Sequence, residues 1–474
     1  MDTSKLKPAN ENPWYILMTL YGEQEAAKNL QAWVELEYAP RRESIPEDWQ
    51  RFGRFSAINR KRWDELRELL RSKQGDDQQL PSKSGPVVLQ GLKFEDVLDL
   101  TRFSFLGEVL IENCVFEEKV VFDNCYFAQN LTFKNVTFRK GISMRSAGCR
   151  GQFKASGLKM GPVFTAAGAR FGSTLNMTKL TWLRDAPARE TISFNRAQFD
   201  SLVHFSDTQF PAFTVFESTA FKGRTMFSRA RFPNGVSFRG AVFEDFTYFQ
   251  GTQFGVTPQS KSHQINFTES RFERPPTFRQ AEFKGEYPNF AGAILHPGAV
   301  FTAHEEHWPQ PKTIEARYPE ANALSVGVAL ENAALIRAHV SKQGLPDEEH
   351  FFFRREMALV QKTKGWAAKL PFLLYDWVSD YGHSVIRPMN GLLLFLVFGV
   401  FLVQFFTDFG WWKSLAFSFA NMFRFFGLQG TYFGHVEVHK WDAWLQWALG
   451  AQTVCAFILL FFLGLGLRTR FRLR

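Results

Sequence analysis

Phenylalanine recurs at a fixed spacing through the middle of this chain. One series falls every eleven residues from Phe194 to Phe249, and a second series, from Phe199 to Phe254, follows five residues behind it. The intervening residues are rich in Thr, Ser, Gly and Pro, which disfavour a continuous helix. A short fixed period of this kind predicts a solenoid rather than an ordinary globular core.

The spacing also predicts how the chain turns. Residues five apart lie roughly 140° from one another on an α-helix and therefore share no face. In one flat strand they point to opposite sides of the sheet. Both series point inward only if the chain turns a corner between them, which predicts a mainly β fold, a coiled solenoid of short strands. Its predicted core residues are Phe194, Phe199, Phe205, Phe210, Phe216, Phe221, Phe227, Phe232, Phe238 and Phe243.

The units FNRAQF (194–199), FSDTQF (205–210) and FRGAVF (238–243) resemble those of the pentapeptide-repeat family. That family places a small side chain inside, two residues before the second Phe, and the matching residues are Ala197, Thr208, Ala230, Ala241 and Ala281. The spacing here departs from the family's, because five and six residues alternate. The resemblance implies a right-handed quadrilateral β-helix. Two eleven-residue units then close one coil, with Phe194, Phe216 and Phe238 stacked in one column and Phe205, Phe227 and Phe249 in the opposite one.

Interruptions of the period indicate the domain limits. We expect the solenoid to cover residues 91–303, and the segments WLRDAPARET near Trp182 and GVTPQSKSH after Phe254 to bulge outward as loops. Residues 1–90 are predicted to form a helical N-terminal cap or docking region. Residues 304–388 are predicted to be a helical linker and juxtamembrane region, and residues 389–474 a module with two transmembrane helices.

Two long uncharged runs near the C-terminus, GLLLFLVFGVFLVQFF (391–406) and residues 445–467, suit bilayer-spanning helices. A buried hairpin of a soluble domain is the alternative. Basic residues flank both runs on their outer sides, so the positive-inside tendency places both chain ends and the solenoid in the cytoplasm. The predicted membrane anchors are Arg387, Trp411, Trp412, Trp441 and Trp444.

Between these runs, residues 411–434 predict a re-entrant apolar helix followed by a glycine-rich turn. Residues 389–467 resemble the pore module of two-helix potassium channels, in which such a turn offers backbone carbonyls to the ion. Gly430, Tyr432 and Gly434 keep a Gly-x-Tyr-x-Gly outline, but the preceding Thr-Val pair is missing. The residues of this candidate pore turn are Gly427, Gln429, Gly430, Thr431, Tyr432, Phe433 and Gly434. The alternative interpretation is an amphipathic helix in the outer membrane interface.

The whole arrangement resembles bacterial membrane pentapeptide-repeat proteins with an ion-channel-like end. This resemblance implies a multi-pass protein of the bacterial inner membrane. One hypothesis is a homo-oligomeric channel, tetrameric if it forms a pore, that passes monovalent cations and carries a protein partner on its solenoid. The other is a membrane-anchored scaffold that binds partner proteins without conducting ions.

Composition narrows the remaining function classes. The 474-residue chain has a net charge of +9, and residues 92–303 hold 25 Lys and Arg against 19 Asp and Glu. A solenoid with this basic balance does not imitate the acidic surface of DNA, so nucleic acid is not an expected partner, whereas anionic lipid headgroups attract it weakly. The N-terminus has no apolar segment, so we expect no cleavable signal peptide.

No motif predicts catalysis or a cofactor. The four cysteines, Cys114, Cys125, Cys149 and Cys455, have neither metal-ligand spacing nor the pattern of a disulfide framework. The stretch HEEH (304–307) could place two imidazoles on one helix face, but a solvated turn at the exit of the solenoid is the favoured interpretation. We therefore expect a protein that is not an enzyme and that has neither a metal site nor a cofactor.

Overall fold

The computed structural model describes residues 5–9, 12, 47–49, 86–101, 103–161, 163–178, 180–183, 191–255, 265–310, 322–434, 436 and 438–471. The chain forms two compact units, Met1–Glu349 and His350–Arg474. The helices predicted for the N-terminal region, and most of the two predicted loops (184–190 and 256–264), lie outside the described residues. The first unit contains a β-solenoid of about 9 turns.

Each coil adds one short strand to each of four parallel sheets. The longest sheet consists of Val87–Gln90, Val109–Glu112, Leu131–Lys134, Phe153–Ser156, Leu175–Asn176, Val203–His204, Thr225–Met226, Thr247–Tyr248, Thr277–Phe278 and Val300–Phe301. The next side consists of Lys7–Pro8, Leu92–Phe94, Val115–Phe116, Thr137–Phe138, Lys159–Met160 and Thr181–Trp182. In later coils its place is taken by a three-stranded sheet of Arg231–Phe232, Gln253–Phe254 and Glu282–Phe283.

The other two sides have eight strands each. One consists of Leu98–Asp99, Val120–Val121, Ile142–Ser143, Phe164–Thr165, Thr191–Ser193, Phe213–Val215, Val236–Ser237 and Ile265–Asn266. The other consists of Ser104–Phe105, Tyr126–Phe127, Gly148–Cys149, Arg170–Phe171, Gln198–Phe199, Ala220–Phe221, Val242–Phe243 and Arg271–Phe272. Backbone hydrogen bonds join each coil to the next, as from Thr137 N to Cys114 O over 2.9 Å, and hold the solenoid together.

The register shows where the solenoid is interrupted. In the first coils, paired residues lie 22 positions apart, as Phe116 and Phe138 do. The offset rises to 28 where Phe164 pairs with Ile192, and to 29 where Val236 pairs with Ile265. The extra residues fall at the two segments for which the sequence predicts loops. The insertions therefore lengthen single coils without shifting the columns of the core.

Stacked phenylalanine rings fill the interior. Ring centroids are 4.9 Å apart between Phe194 and Phe216, and 5.4 Å apart between Phe205 and Phe227. Both columns continue to Phe238 and Phe249, so the predicted columns are confirmed. Rings of neighbouring columns meet edge to face, and all ten predicted core phenylalanines are at most 1% exposed. Edge-to-face and offset-stacked pairs each contribute about 0.5–1.5 kcal/mol beyond area burial.

A corner in the left-handed backbone conformation recurs every eleven residues. The φ angle is 55° at Arg196, 59° at Asp207, 52° at Ser218 and 56° at Arg229, and Gly240 and Gly251 occupy the two corners after these. At these corners a backbone N–H donates to the carbonyl three residues earlier, as from Ala197 to Phe194 over 2.9 Å. This turn redirects the chain between the two inward-pointing aromatic residues of each unit.

The small residue of each unit is buried beside the corner. Ala197, Thr208, Ala230, Ala241 and Ala281 are all at most 2% exposed, as the sequence predicts. In several units this residue carries a polar atom that donates to a carbonyl of the preceding coil. Thr208 Oγ1 bonds Met177 O over 2.7 Å, Thr219 Oγ1 bonds Phe194 O over 2.8 Å and Cys125 Sγ bonds Leu100 O over 2.9 Å.

Both ends of the solenoid are covered. Lys7–Pro8 pairs with the first coil at Leu92, and at the other end the indole of Trp308 stacks 4.7 Å from the ring of Phe283. Helix α1 (Asn322–Ser341) follows, and just after it Gln343 Nε2 donates to the carbonyls of Pro297 and Ala299. Covered ends keep the last strands from pairing with other chains.

The remaining α-helices among the described residues are α2 (Pro346–Thr363), α3 (Trp366–Ser379), α4 (Ile386–Phe406), α5 (Trp411–Met422), α6 (Leu428–Phe433) and α7 (Ala443–Phe471). Short 3₁₀ helices lie at Glu47–Trp49, Glu305–His307, Arg424–Phe426 and Val438–Lys440. Pro346 begins α2 and three acidic residues follow in its first turn, an arrangement that suits the positive end of the helix dipole.

Candidate functional site in the C-terminal helices

The helix predicted between the two apolar runs is present as α5, which packs against both α4 and α7. Its Phe417 is fully buried in a cluster with Val403 of α4 and with Leu445 and Leu449 of α7. The ring of Trp441, just before α7, lies 5.2 Å from that of Phe417. The apolar contacts therefore hold α5 as the third member of a bundle.

Amide and hydroxyl groups form a hydrogen-bonded network inside this bundle. Asn421 Nδ2 donates to Gln452 Oε1 over 3.0 Å and to Leu449 O over 2.9 Å. Gln452 Nε2 in turn donates to Ser418 Oγ over 2.8 Å and to Phe395 O over 2.9 Å. Asn421, Ser418 and Gln452 are at most 2% exposed. The network thus ties α4, α5 and α7 together within one chain.

A glycine makes room for this network. A Cβ atom at Gly399 of α4 would lie 2.2 Å from Gln452 Nε2 and 2.3 Å from Ser418 Oγ. Real Cβ contacts are never that short, so any larger residue would push the two polar side chains apart. Gly399 therefore fixes how closely α4 approaches the other two helices.

The candidate pore turn has a different backbone from the one that the sequence predicts. The sequence predicts a glycine-rich turn here, whereas residues 428–433 form the short helix α6. Gly427 is the only left-handed residue of the segment, with φ 78°, and it separates α6 from the preceding 3₁₀ helix. In a helix the carbonyls point along the axis to later N–H groups, as Gly427 O accepts from Thr431 N. They are not arranged to line a path for an ion.

The side chains of this segment are dispersed. Gln429 is buried, whereas Tyr432 is 68% exposed, and Thr431 Oγ1 bonds the carbonyl of Gly427. Phe433 packs on Phe417 at 5.3 Å. A Cβ atom at Gly430 would meet nothing within 4 Å, whereas one at Gly434 would lie 2.5 Å from the carbonyl oxygen of Gly430. The seven predicted residues do not converge on one point within the chain.

The predicted anchors lie at the ends of the apolar helices. Arg387 Nη1, at the start of α4, donates to Asp376 O over 2.8 Å. Trp411 and Trp412 are exposed at the start of α5, and Trp444 is exposed at the start of α7, where its ring meets that of Phe406 at 4.5 Å. Trp441 is partly buried and belongs to the core of the bundle.

An open apolar cleft of about 860 Å³ lies between α4, α5 and α6. Leu396, Leu415, Phe419, Leu428 and Tyr432 contribute to its walls. Its lining suits an acyl chain or an apolar side chain of another molecule.

Two stacked imidazoles occupy the region before α4. The rings of His350 and His383 lie 4.2 Å apart and nearly parallel, beside the ion pair of Arg354 and Asp380. Burial, the neighbouring His383 and the charge of Arg354 lower the pKa of His350 to about 4. His350 is therefore neutral near pH 7.

The solenoid carries a second candidate site, a groove of about 480 Å³ on its three-stranded side. Arg231, Gln253 and Lys284 line it, and Gly255 marks the point where the second insertion begins. Arg231 adds positive charge to the groove, whereas Lys284 pairs with the carboxylate of Glu282, to which the Gln253 amide also donates. A peptide with acidic residues would complement it.

Metal-binding groups of three or more His, Cys, Asp or Glu side chains do not occur among the described residues. His304 and His307 flank a single 3₁₀ turn, with ring centroids 5.9 Å apart. The thiols of Cys114, Cys125 and Cys149 are buried, and burial raises their pKa. These thiols are unreactive core side chains.

Comparison of the chain with protein-family models, with curated proteins and with solved structures gave no match. The fold alone defines its class, a parallel β-solenoid joined to a C-terminal helical region with two candidate membrane spans.

Proposed function

We propose that this protein is a membrane-anchored scaffold, whose solenoid binds a partner protein at the cytoplasmic face of a bacterial inner membrane. The observation that carries this proposal is the distribution of exposure in α4 and α7. Both are long and apolar enough to cross a bilayer, yet only 17% and 22% of their most apolar windows are buried. A core helix of a soluble protein would be mostly buried, whereas lipid suits an exposed apolar surface.

The closed polar network favours an anchor over a pore. Asn421, Ser418 and Gln452 are satisfied by one another and by backbone carbonyls of the same chain. Polar groups that line an ion path must instead face water or the ion. The helical backbone of α6 supports the same conclusion.

The class of solenoid and its orientation belong to the same proposal. Four strands per coil and the buried small residue of each unit support a right-handed quadrilateral helix of the pentapeptide-repeat type. Basic residues precede α4 and follow the apolar part of α7, which supports cytoplasmic chain ends. The groove beside Arg231 and Lys284 is the surface we assign to the protein partner.

A combined test uses the full chain. Membranes that contain it are washed with alkaline carbonate, and the purified protein is reconstituted in liposomes for an ion-flux assay. We expect retention in the washed membranes and no flux of monovalent cations. Release of the protein by carbonate would contradict membrane anchoring. Cation flux through protein of verified oligomeric state would contradict the scaffold hypothesis and support the channel hypothesis.

The second candidate is an ion channel-like oligomer, favoured by one observation. Helices α5 and α6 lie between the two candidate spans and present an open apolar cleft that another copy could cover. In this candidate four copies surround the path, and their Gly427–Gly434 segments meet at its axis. The mass of the protein in detergent tests the channel hypothesis, because a monomeric protein could not form the path between four copies.

A further inference from the structure

We propose that α3 lies in the plane of the cytoplasmic membrane interface and binds the headgroups of anionic phospholipids. Four of its apolar side chains, Trp366, Leu370, Leu373 and Trp377, fall at i, i+4, i+7 and i+11 and therefore share one helix face. They are 81%, 50%, 49% and 78% exposed. A continuous apolar stripe of this size is unusual on a surface that faces water.

The opposite face of α3 is packed in the C-terminal half of the helix. Tyr375 lies 5.5 Å from Phe462 of α7 and 5.4 Å from Tyr381, and Ser379 is fully buried. These contacts fix the rotation of the helix, so the stripe points away from the bundle.

The position of α3 along the bundle matches the edge of the bilayer. Gly382, just after α3, packs against Leu465 of α7, and Gly466 packs against Ser384. The apolar run of α7 ends two residues later, at Arg468. Arg387 joins Asp376 of α3 to the first turn of α4. The end of α3 is therefore level with the point where both candidate spans leave the apolar layer.

The charges near α3 suit anionic lipid. Lys362, Lys364 and Lys369 stand at its N-terminal end and Arg387 just beyond its C-terminal end, whereas Asp376 is the one acidic residue within the helix. Each basic residue near an anionic membrane surface contributes about 1 kcal/mol of attraction. Tryptophans at both ends of the stripe fit the interface, where an indole has both apolar and polar neighbours.

A lipid surface explains these features better than a protein partner does. The stripe is continuous with the exposed apolar faces of α4 and α7, which the proposed function places in lipid. Because the stripe begins at the edge of the bilayer and has lysines beside it, lipid headgroups are its nearest neighbours, and a soluble protein would have to displace them. This inference rests on the proposed membrane insertion of α4 and α7. The experiment below tests that insertion and the position of α3 separately.

Depth is measured on the full chain in nanodiscs of phosphatidylcholine with phosphatidylglycerol. The background variant is Cys455→Ala, and a nitroxide is attached to one introduced cysteine at a time. Leu370→Cys places the label on the stripe, and Ala368→Cys, on the opposite face, is the matched control. Leu394→Cys places it at an exposed position of α4. Accessibility to oxygen reports lipid, and accessibility to a water-soluble nickel chelate reports water. We expect the Leu370 and Leu394 positions to favour oxygen and the Ala368 position to favour the chelate.

The outcomes are distinct. If the Leu394 position favours the chelate, the membrane insertion itself is wrong. If the Leu394 position favours oxygen but the Leu370 position matches the Ala368 position, α3 is in water and only the inference fails. A Leu370 label screened from both reagents, or coupled to a label on a second copy, shows that protein covers the stripe and also overturns the inference.

Lipid selectivity provides the second measurement. The relative association of spin-labelled phosphatidylglycerol and phosphatidylcholine is compared between the wild type and the double variant Lys364→Gln, Lys369→Gln. We expect the preference for the anionic lipid to fall roughly fivefold for each charge removed. Lys413→Gln, beyond the other end of α4, is the control and should leave it unchanged. An unchanged preference in the double variant would refute the headgroup contact.

Discussion

The solenoid and the C-terminal bundle have opposite interiors. In the solenoid, aromatic rings such as Phe216 and Phe227 fill the inside. In the bundle, an asparagine and a glutamine are buried, while Leu394, Phe405 and Phe461 face outward. Water drives apolar groups inward, but lipid exerts no such force, and helices in lipid associate through close packing and hydrogen bonds. The difference is the one expected if the second unit lies in lipid, as the proposed function requires.

We expect the largest loss of stability when one stacked phenylalanine ring is removed from the solenoid. Phe227 stacks on both Phe205 and Phe249 and meets Phe216 and Phe238 edge to face. Phe227→Ala should lower the free energy of unfolding of the solenoid by about 3–5 kcal/mol, because the cavity cannot close. Denaturant unfolding of the full chain in detergent, followed by circular dichroism, measures it. Phe246→Ala, at an exposed position, should change it by at most about 0.5 kcal/mol.

The bundle should instead be sensitive to added volume. Gly399→Ala drives a methyl group into Gln452 and Ser418, so we expect a loss of about 1–3 kcal/mol in the stability of the bundle. Unfolding by a denaturing detergent, followed by tryptophan fluorescence, measures it. Gly450→Ala on α7 is the control, because its Cβ meets nothing within 4 Å. Equal losses in the two variants would show that the network does not depend on close helix approach.

The corners of the solenoid should respond to backbone strain. Gly240 has φ 62°, and its Cβ would meet Ser218 only at 3.7 Å, so space is not limiting. Gly240→Ala should cost about 1–2 kcal/mol because an L-residue is strained in this conformation. Denaturant unfolding under the same conditions measures the change. If Gly240→Ala leaves the free energy of unfolding unchanged, the corner relaxes to accept the side chain. The control variant Ser218→Gly, at a corner of the same conformation, should not destabilise the protein by more than about 0.5 kcal/mol.

The smallest predicted effect is a pH dependence confined to the helical unit. The unfolded imidazole of His350 takes up a proton near pH 6.5, whereas the folded one, with a pKa of about 4, does not. Stability of the helical unit should therefore fall as the pH drops from 6.5 towards 4. His383 and Arg354 oppose protonation, and Asp380 offsets part of their effect. His350→Phe should flatten this slope in detergent unfolding; an unchanged slope would assign it to other groups.

Much of the solenoid follows from local pattern. One inward aromatic residue per face recurs every eleven positions, so the spacing predicts a solenoid, whereas the columns of its coils and the buried small residue of each unit were expected from the resemblance to the pentapeptide-repeat family. The left-handed corners were not predicted, because Arg, Asp, Ser, Glu, Gln and Gly all occupy them. The asparagines at 113, 124 and 135 were the available signal, since Asn tolerates this conformation.

The bundle was less predictable because its features depend on distant partners. Gln452 and Thr453 stand out as polar breaks in an apolar run, but the sequence does not show that they bond α5 from 31 and 32 residues away. The glycines at 430 and 434 suggested a turn, yet the apolar contact of Phe433 with Phe417 stabilises a helix there. Long-range packing overrode the local preference of glycine.

The recurring offset of 22 residues between uninterrupted coils means that the solenoid can change length by whole coils. Each coil adds about 4.8 Å, the spacing between neighbouring strands. Removal of residues 205–226 would delete one whole coil and place Phe227 in the position of Phe205, with every column still continuous. Within the uninterrupted coils, a deletion out of phase with the eleven-residue period would turn core residues outward. The distance between the two ends of the solenoid therefore changes only in fixed steps, which suits a spacer that can be lengthened or shortened by duplicating or losing one coil.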